Sequence, residues 1–245
     1  MPDVVQDRIS TYWSDHATAY DASQTERMQQ PGARDVWAAV WSRALPPPPA
    51  TILDLGTGSG NLALLLAQLG HRVTGIDLAD GMLAQARRKA QHVPNPPRFL
   101  TADAVHPTGV DAPFHALTAR YLLWTLRDPL IALRNWHDLL APGGVLVAVD
   151  SLWYPHGVRA THDHPQATDR DRDFCAAYND DALKRLPLAQ ATSIHHTADL
   201  LGHAGFTNIV IEELPEVLDL DRRYGVAPGH QVQMQYRITA QRRSG

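Results

Sequence analysis

The middle of the chain alternates between two patterns of apolar positions. From Thr51 to Asp150, apolar runs of strand length are separated by segments with helical spacing, which predict helices at 61–69, 80–91 and 128–140. Strands that alternate with helices are typical of a parallel sheet covered by helices on both faces. The pattern therefore predicts an α/β fold with a doubly wound, mostly parallel sheet.

The first 45 residues have a helical pattern instead. Four large apolar side chains are spaced to share one helical face, namely Trp37, Val40, Trp41 and Leu45. Prolines from Pro46 to Pro49 prevent the helix from continuing, so a stiff connector leads into the first strand. Residues 1–45 are therefore predicted to form a helical cap on a core at 51–150.

The pattern changes again after the fifth predicted strand. Residues 151–193 are polar, rich in His and Asp, and too long for an ordinary connection, which predicts an insertion. The chain then resumes with a predicted helix at 196–204 and predicted strands at 207–214 and 231–241. A length of 245 residues suits one α/β domain, in which 194–245 complete the sheet.

The turn after the first predicted strand combines an acid with three alternating glycines. Asp54 is followed by Gly56, Gly58 and Gly60, and a helix-like segment begins at Asn61. Glycines at such a turn let the backbone turn tightly and approach a ligand. A carboxylate here repels the pyrophosphate of a dinucleotide but favours the ammonium and sulfonium of S-adenosylmethionine. The dinucleotide pattern also fails, because its third glycine would fall at Asn61.

A second acid ends the next predicted strand, at Asp77. It follows the glycines by about the distance at which an acid at a strand end binds a ribose diol. This feature alone would suit NAD equally well. The acid within the glycine turn is what distinguishes the two cofactors.

Together these segments resemble the binding motifs of class I S-adenosylmethionine-dependent methyltransferases. Residues 99–104 resemble the segment whose acid contacts adenine, and 114–120 and 139–150 resemble the fourth and fifth strands. Residues 12–21 resemble the aromatic N-terminal segment of members that act on small molecules. The resemblance implies a Rossmann-like methyltransferase fold with a seven-stranded sheet, N-terminal helices and a lid insertion after strand 5, which would roof the substrate pocket.

The resemblance also implies S-adenosylmethionine as the cofactor. It assigns to the cofactor site Tyr12, Tyr20, Asp54, Gly56, Thr57, Gly58, Gly60, Asp77, Leu78, Met82, Asp103, Ala104 and Arg120. The function it implies is methyl transfer to a small-molecule or short-peptide acceptor in specialised metabolism, mainly by positioning for in-line displacement. Cyclisation or other non-methyl chemistry of the cofactor, and a non-catalytic binding subunit, are the alternatives.

Candidate catalytic residues come from two segments. Arg120 and Tyr121 follow the fourth predicted strand, where doubly wound sheets open toward ligand. Arg120 either orients an anionic group or braces the N-terminal helix, while Tyr121 and Trp124 either wall the pocket or pack in the core. Tyr20 either contacts the cofactor or packs the N-terminal helix. His16 is the candidate base of that segment, with surface exposure as its alternative.

The 13 histidines raise the question of a metal. His162-Asp163-His164 and His195-His196 are clustered, and histidine with carboxylate suits several divalent ions. Neither cluster has the i, i+4 spacing of a helical metal motif, and both segments look loop-like. Solvated histidines are therefore predicted, and no metal site. Three further residues follow the fifth strand and are candidates to border the acceptor pocket, namely Asp150, Trp153 and His156.

Composition limits the possible binding partners of the protein and its cellular compartment. The formal charge of −4 argues against a nucleic-acid partner, which needs a basic surface. A single cysteine, Cys175, excludes an intramolecular disulfide. The sequence has no signal peptide and no apolar run of 18 residues, which predicts a cytoplasmic protein without a membrane partner. A monomer or homodimer is expected.

Overall fold

The computed structural model describes residues 4–162, 167–226 and 231–244. Its strands are β1 (Thr51–Leu55), β2 (Arg72–Asp77), β3 (Arg98–Thr101), β4 (Phe114–Arg120), β5 (Leu140–Asp150), β6 (Thr207–Glu213) and β7 (Tyr236–Gln241). They form one seven-stranded sheet in the order β3-β2-β1-β4-β5-β7-β6. Strands β1 to β5 pair in parallel, and β7 pairs antiparallel with β5 and β6. The predicted α/β fold with a doubly wound, mostly parallel sheet is confirmed.

Helices occupy most of the segments between the strands. They are α1 (Val4–Asp15), α2 (Ala17–Met28), α3 (Ala33–Ser42), α4 (Asn61–Gln68), α5 (Asp80–Ala90), α6 (Pro129–Leu139), α7 (Val158–His162), α8 (Asp169–Ala177), α9 (Asp180–Leu183), α10 (His195–His203) and α11 (Pro215–Tyr224). The predicted helical N-terminal segment and the four predicted helices further along are confirmed, with the boundaries of those four shifted by at most one residue.

Both faces of the sheet are buried, as the apolar runs of its strands predict. Leu53 and Leu55 of β1 pack in one apolar cluster with Trp136 of α6. Ile52 points to the opposite face and packs in a second cluster with Trp41 of α3. Strands buried on both faces read as continuous apolar runs, which is why the sequence reveals them clearly.

The C-terminal region differs from the prediction. Helix α11 lies between β6 and β7, where no helix was predicted, and β7 begins at Tyr236 rather than at 231. Pro215 occupies the first turn of α11, where proline is well tolerated. The buried residues of α11 are Val217 and Asp221. The helix is amphipathic, so its hydrophobic spacing was an available signal that the sequence analysis missed.

The insertion at 151–193 contains α7, α8 and α9, and His162 ends α7 rather than lying in a loop as predicted. Phe174 of α8 and Tyr178 just after it pack in a third apolar cluster with Tyr12 of α1 and with Trp124. A few large aromatic side chains, separated by polar ones, are enough to form this cluster.

One of the predicted solvated histidines, His162, differs from the prediction. His162 is buried, and its Nδ1 lies 2.9 Å from Asp171 Oδ1, so it is not a solvated side chain. Asp163 and His164 lie outside the described residues. His195 and His196 are exposed at the start of α10. Within residues 4–162, 167–226 and 231–244, no three His, Cys, Asp or Glu side chains are placed to hold a metal ion. No helix in the same ranges could cross a membrane.

Candidate active site

A cavity opens at the carboxyl ends of β1, β2 and β4, the edge at which doubly wound sheets bind ligands. It contains about 1260 Å³ of unoccupied space, part of it continuous with solvent. We call the part of the cavity over β1 to β3 the β2 half. Its wall includes Gly56, Gly58, Asp77, Leu78, Met82 and Ala104. We call the part of the cavity over β4 to β7 the β4 half. Its wall includes Arg27, Arg120, Tyr121, Trp153, Asp221 and Gln235.

The glycine turn has the tight backbone that its sequence predicts. Gly56 and Gly60 both have positive φ, of 59° and 78°. A Cβ on Gly56 would lie 2.6 Å from a methyl carbon of Leu122, and one on Gly60 would lie 2.8 Å from the Cβ of Ala86. Glycine is therefore required at both positions, by conformation and by space. Gly56 lines the cavity, whereas Gly60 supports the start of α4 from behind.

Asp54 lies beneath this turn rather than on the cavity wall. Its Oδ2 accepts a 2.6 Å hydrogen bond from Thr57 Oγ1, and its Oδ1 accepts one of 2.8 Å from Thr118 Oγ1. Burial raises the pKa of the Asp54 carboxyl to about 6. The sequence analysis placed Asp54, Thr57 and Gly60 among the cofactor contacts. None of the three lines the cavity, and their positions fit support of the turn.

Asp77 closes β2 and faces the cavity. Its Oδ2 accepts from the backbone N–H of Gly58 at 2.7 Å, and its Oδ1 accepts from Ala79 N at 2.9 Å. Burial raises the pKa of the Asp77 carboxyl, while these N–H groups act in the opposite direction. Each carboxylate oxygen can accept more than one hydrogen bond, so Asp77 can also receive ligand hydroxyls.

Asp103 lies at the far end of the β2 half. Its Oδ1 accepts from Val105 N at 2.8 Å, and its Oδ2 forms an ion pair with Arg127. Arg127 also donates to Gln6 Oε1 of α1 at 2.6 Å. Asp103 lines the cavity as predicted, but its ion pair also joins the loop after β3 to the N-terminal helix.

Helix α1 forms a wall that the sequence analysis missed. Its cavity-lining residues are Gln6, Ile9, Ser10 and Trp13, at the i, i+3, i+4, i+7 spacing of one helical face. That spacing was the available signal. In α2, Tyr20 and Gln24 also line the cavity, and Tyr20 is one of the predicted residues.

Two other predicted residues of the N-terminal segment do not line the cavity. Tyr12 is buried on the opposite side of α1, where its ring contacts Trp13, Phe174 and Tyr178 edge-on. His16 stacks on Tyr12 with ring centroids 4.3 Å apart, and its Nε2 lies 3.4 Å from Asp173. These positions do not support the assignments of Tyr12 to the cofactor and of His16 as a base, which stay predictions.

Arg120, the last residue of β4, carries its guanidinium group into the cavity wall. The group packs over the rings of Trp37 and Tyr121, at 5.3 and 5.1 Å from their centroids. Its NH2 group donates to Gln24 Oε1 at 3.2 Å. In the described parts of the chain, no carboxylate oxygen lies within ion-pair distance of Arg120.

Tyr121 follows with a positive φ of 59°, which is rare for a bulky side chain and concentrates at functional sites. Its ring meets Trp153 edge-on, with centroids 5.0 Å apart. Its hydroxyl donates to Gln235 Oε1 at 2.6 Å, and Gln235 Nε2 donates to Asp221 Oδ2 at 2.9 Å. The sequence analysis missed Gln235 and Asp221, whose local patterns carry no signal for a site.

The insertion at 151–193 contributes little to the cavity wall. Among its described residues, Trp153 alone lines the cavity, and His156 does not. Asp150 is buried behind the wall, where it accepts from Leu123 N at 2.8 Å and from Trp153 Nε1 at 2.5 Å. Burial raises the pKa of Asp150 to about 6. The cavity is bordered by α1, α2 and, after the insertion, by Asp221, Val226, Gln231 and Gln235, so the described part of the insertion does not roof it.

Known proteins match this core. Residues 53–148 match a family model described as a methyltransferase domain. Over 116 residues, the chain is 43% identical to the demethylmenaquinone methyltransferase of Thermus thermophilus, covering 46% of this chain and 53% of that relative. Over 98 residues, it is 37% identical to the ubiquinone biosynthesis O-methyltransferase of Ruegeria pomeroyi, covering 39% of each. The aligned part thus spans about half the length, or less, of these relatives.

The fold has solved counterparts. The crystal structure of the 4+2 cyclase SpnF superimposes with a TM-score of 0.61 at 19% identity, covering 88% of this chain and 83% of that one. A likeness at this level of identity concerns the fold alone. Residues 53–148 thus resemble a methyltransferase domain in sequence, and they lie within a seven-stranded sheet.

Proposed function

We propose that the protein binds S-adenosylmethionine mainly in the β2 half of the cavity and transfers its methyl group to a small aromatic acceptor in the β4 half. Arg120 carries this proposal. It is a half-buried cation beside the β1–β4 boundary, and in the described chain it is held by an amide and two rings without a carboxylate. Burying a charge is costly unless it is paired, and the carboxylate of the cofactor would pair it.

The β2 half fits the rest of the cofactor. Asp77 can accept from ribose hydroxyls, and Gly56 and Gly58 leave room where a side chain would project. The apolar wall beyond Asp77 suits a flat adenine ring, and it consists of Leu78, Met82 and Ala104. Asp54 supports the turn from below and adds negative charge under the cofactor's ammonium and sulfonium.

The β4 half suits a planar acceptor. Tyr20, Tyr121 and Trp153 present aromatic surfaces there, and aromatic pairs favour stacked or edge-on contact with another ring. Two relatives are named for demethylmenaquinone and ubiquinone biosynthesis, and a quinone nucleus has this flat shape. A quinol or a similar phenol is therefore the proposed acceptor class, in place of a short peptide.

The bound cofactor would supply an already activated methyl group. The chain's own residues then have to align the acceptor and exclude water, and positioning can provide most of the acceleration. The α1 wall, with Ile9 and Trp13, covers the cavity from the side opposite the sheet. No general base is assigned, because His16 lies elsewhere.

Calorimetric titration with S-adenosylmethionine, S-adenosylhomocysteine and NAD tests the cofactor. Binding of both sulfur compounds but not of NAD supports the proposal, and failure of both in a folded sample contradicts it. A screen of quinols and phenols with S-adenosylmethionine then tests the acceptor class, because methylated product should form from at least one of them.

A second function is kept because the cyclase SpnF shares this fold, so the fold alone does not establish methyl transfer. Non-methyl chemistry, such as intramolecular cyclisation of the cofactor, is that alternative. Incubation with S-adenosylmethionine alone separates the two. Release of methylthioadenosine without an acceptor supports the alternative, whereas an unchanged cofactor argues against it.

A further inference from the structure

A chain of hydrogen bonds in the β4 half starts at a buried charge. Arg27 forms an ion pair with Asp221 Oδ1, and Asp221 is 2% exposed. Gln235 Nε2 donates to Asp221 Oδ2 at 2.9 Å. Tyr121 then donates its hydroxyl hydrogen to Gln235 Oε1 at 2.6 Å. All four residues line the cavity.

The Asp221 carboxylate determines which group donates in each hydrogen bond of this series. An ionised carboxylate can only accept, so Asp221 requires the NH2 group of Gln235. The amide carbonyl must then face Tyr121, and a carbonyl can only accept. The phenol hydrogen of Tyr121 is thereby committed to Gln235. Toward a ligand in the cavity, the Tyr121 oxygen can therefore accept a hydrogen bond but cannot donate one.

We infer that Tyr121 is a specificity-determining residue that accepts a hydrogen bond from an O–H or N–H group of the acceptor. The cavity then selects quinols, phenols and aromatic amines over ethers and quinone carbonyls, which offer no hydrogen. This inference rests on the proposed function for its identification of the β4 half as the acceptor site.

The contact is held in place before the acceptor arrives. The Tyr121 ring packs against the Arg120 guanidinium and, edge-on, against Trp153, and Trp124 Nε1 donates to the Tyr121 carbonyl at 2.9 Å. A group fixed by its neighbours discriminates better than a mobile one. The same contact distinguishes substrate from product after transfer to oxygen, since the resulting ether has lost the hydrogen.

The test compares 4-methoxyphenol with 1,4-dimethoxybenzene, which differ by one methyl group on one oxygen. Binding to the intact protein is followed by NMR titration, with and without S-adenosylhomocysteine. The expected result is that the phenol binds roughly threefold to tenfold more tightly, the range of one hydrogen bond's net contribution.

Two variants and a control test whether the preference for the phenol over the ether comes from Tyr121. Tyr121→Phe should abolish it, because the accepting oxygen is gone. Asp221→Asn should reduce it, because an amide at 221 can donate to Gln235 Oε1, and the Gln235 NH2 group then donates to the Tyr121 oxygen and competes with the ligand for it. Tyr224→Phe is the matched control on α11, since its hydroxyl contacts Pro31 O away from the chain, and it should keep the preference.

Each outcome bears on one claim. Equal binding of the two probes to the wild-type protein, or a preference that survives Tyr121→Phe, overturns the inference even when S-adenosylhomocysteine binds and the proposed function stands. Failure of S-adenosylhomocysteine to bind contradicts the proposed function instead, while the titration without it still tests the contact. Failure of both probes to bind also overturns the inference.

Discussion

Asp54 of β1 and Thr118 of β4 are direct partners in the parallel register, and Thr118 Oγ1 donates to Asp54 Oδ1 at 2.8 Å. Neither side chain has appreciable contact with solvent. A carboxylate in such a place needs hydrogen-bond donors, and Thr57 provides the second one from the glycine turn. The acid that the sequence associates with a ligand thus also joins the turn to the centre of the sheet.

Thr118→Val should lower the free energy of unfolding by about 1–3 kcal/mol, because it keeps the shape of the side chain but leaves a buried carboxylate oxygen without its donor. Urea denaturation measures the change. Thr11→Val is the control, since Thr11 is exposed on α1 and should change stability by no more than about 0.5 kcal/mol. Equal losses in the two variants would contradict the structural role of the Asp54–Thr118 pair.

Binding of S-adenosylmethionine should weaken as the pH falls through 6. Burial raises the pKa of Asp54 to about 6 in the free protein, so the carboxyl is ionised above that pH and neutral below it. The positive cofactor favours the ionised form, which means that affinity is full above pH 6 and declines below it. Titrations between pH 5 and pH 8 measure the effect.

A ligand with less positive charge serves as the comparison for this pH dependence. S-adenosylhomocysteine lacks the sulfonium, so its affinity should depend less on pH than that of S-adenosylmethionine. Asp54→Asn removes the titrating group and should flatten both curves. A pH dependence that is unchanged in Asp54→Asn would show that another group is responsible.

Asp77→Ala should weaken S-adenosylhomocysteine binding by about 1–3 kcal/mol, because charge-assisted hydrogen bonds to the ribose would be lost. Asp111→Ala is the matched control, since Asp111 is exposed and pairs with Arg98 outside the cavity. Calorimetry on both folded variants measures the difference. Unchanged affinity in Asp77→Ala would refute the proposed role of Asp77.

Local patterns made part of the site predictable. The glycines and Asp77 belong to a strand and turn whose sequence signature is continuous, and Arg120 and Tyr121 follow a strand that is itself easy to recognise. Position at the end of a parallel strand is enough to place such residues at the ligand edge of the sheet. These assignments depend on short-range sequence and on one general rule of topology.

The rest of the site depends on contacts between distant segments. Arg27, Asp221 and Gln235 come from α2, α11 and the residue before β7, and each has an ordinary polar neighbourhood in the sequence. Tyr12 and His16 lie away from the cavity wall for a different reason. They share α1 or its end with the cavity-lining residues but lie on another face, which only the packing of α8 against α1 determines.

Arg120→Gln should weaken S-adenosylhomocysteine binding by about 1.5–3 kcal/mol, the range for a hydrogen bond to a charged group. The proposed partner of Arg120 is the cofactor's carboxylate, so a ligand without one should be insensitive to the change. Methylthioadenosine is that ligand, because it keeps the adenine, ribose and sulfur but lacks the amino-acid end. Calorimetric titration of both ligands into both proteins completes a thermodynamic cycle. If methylthioadenosine loses as much affinity as S-adenosylhomocysteine, Arg120 acts by bracing α2 through Gln24 and not by pairing with the cofactor.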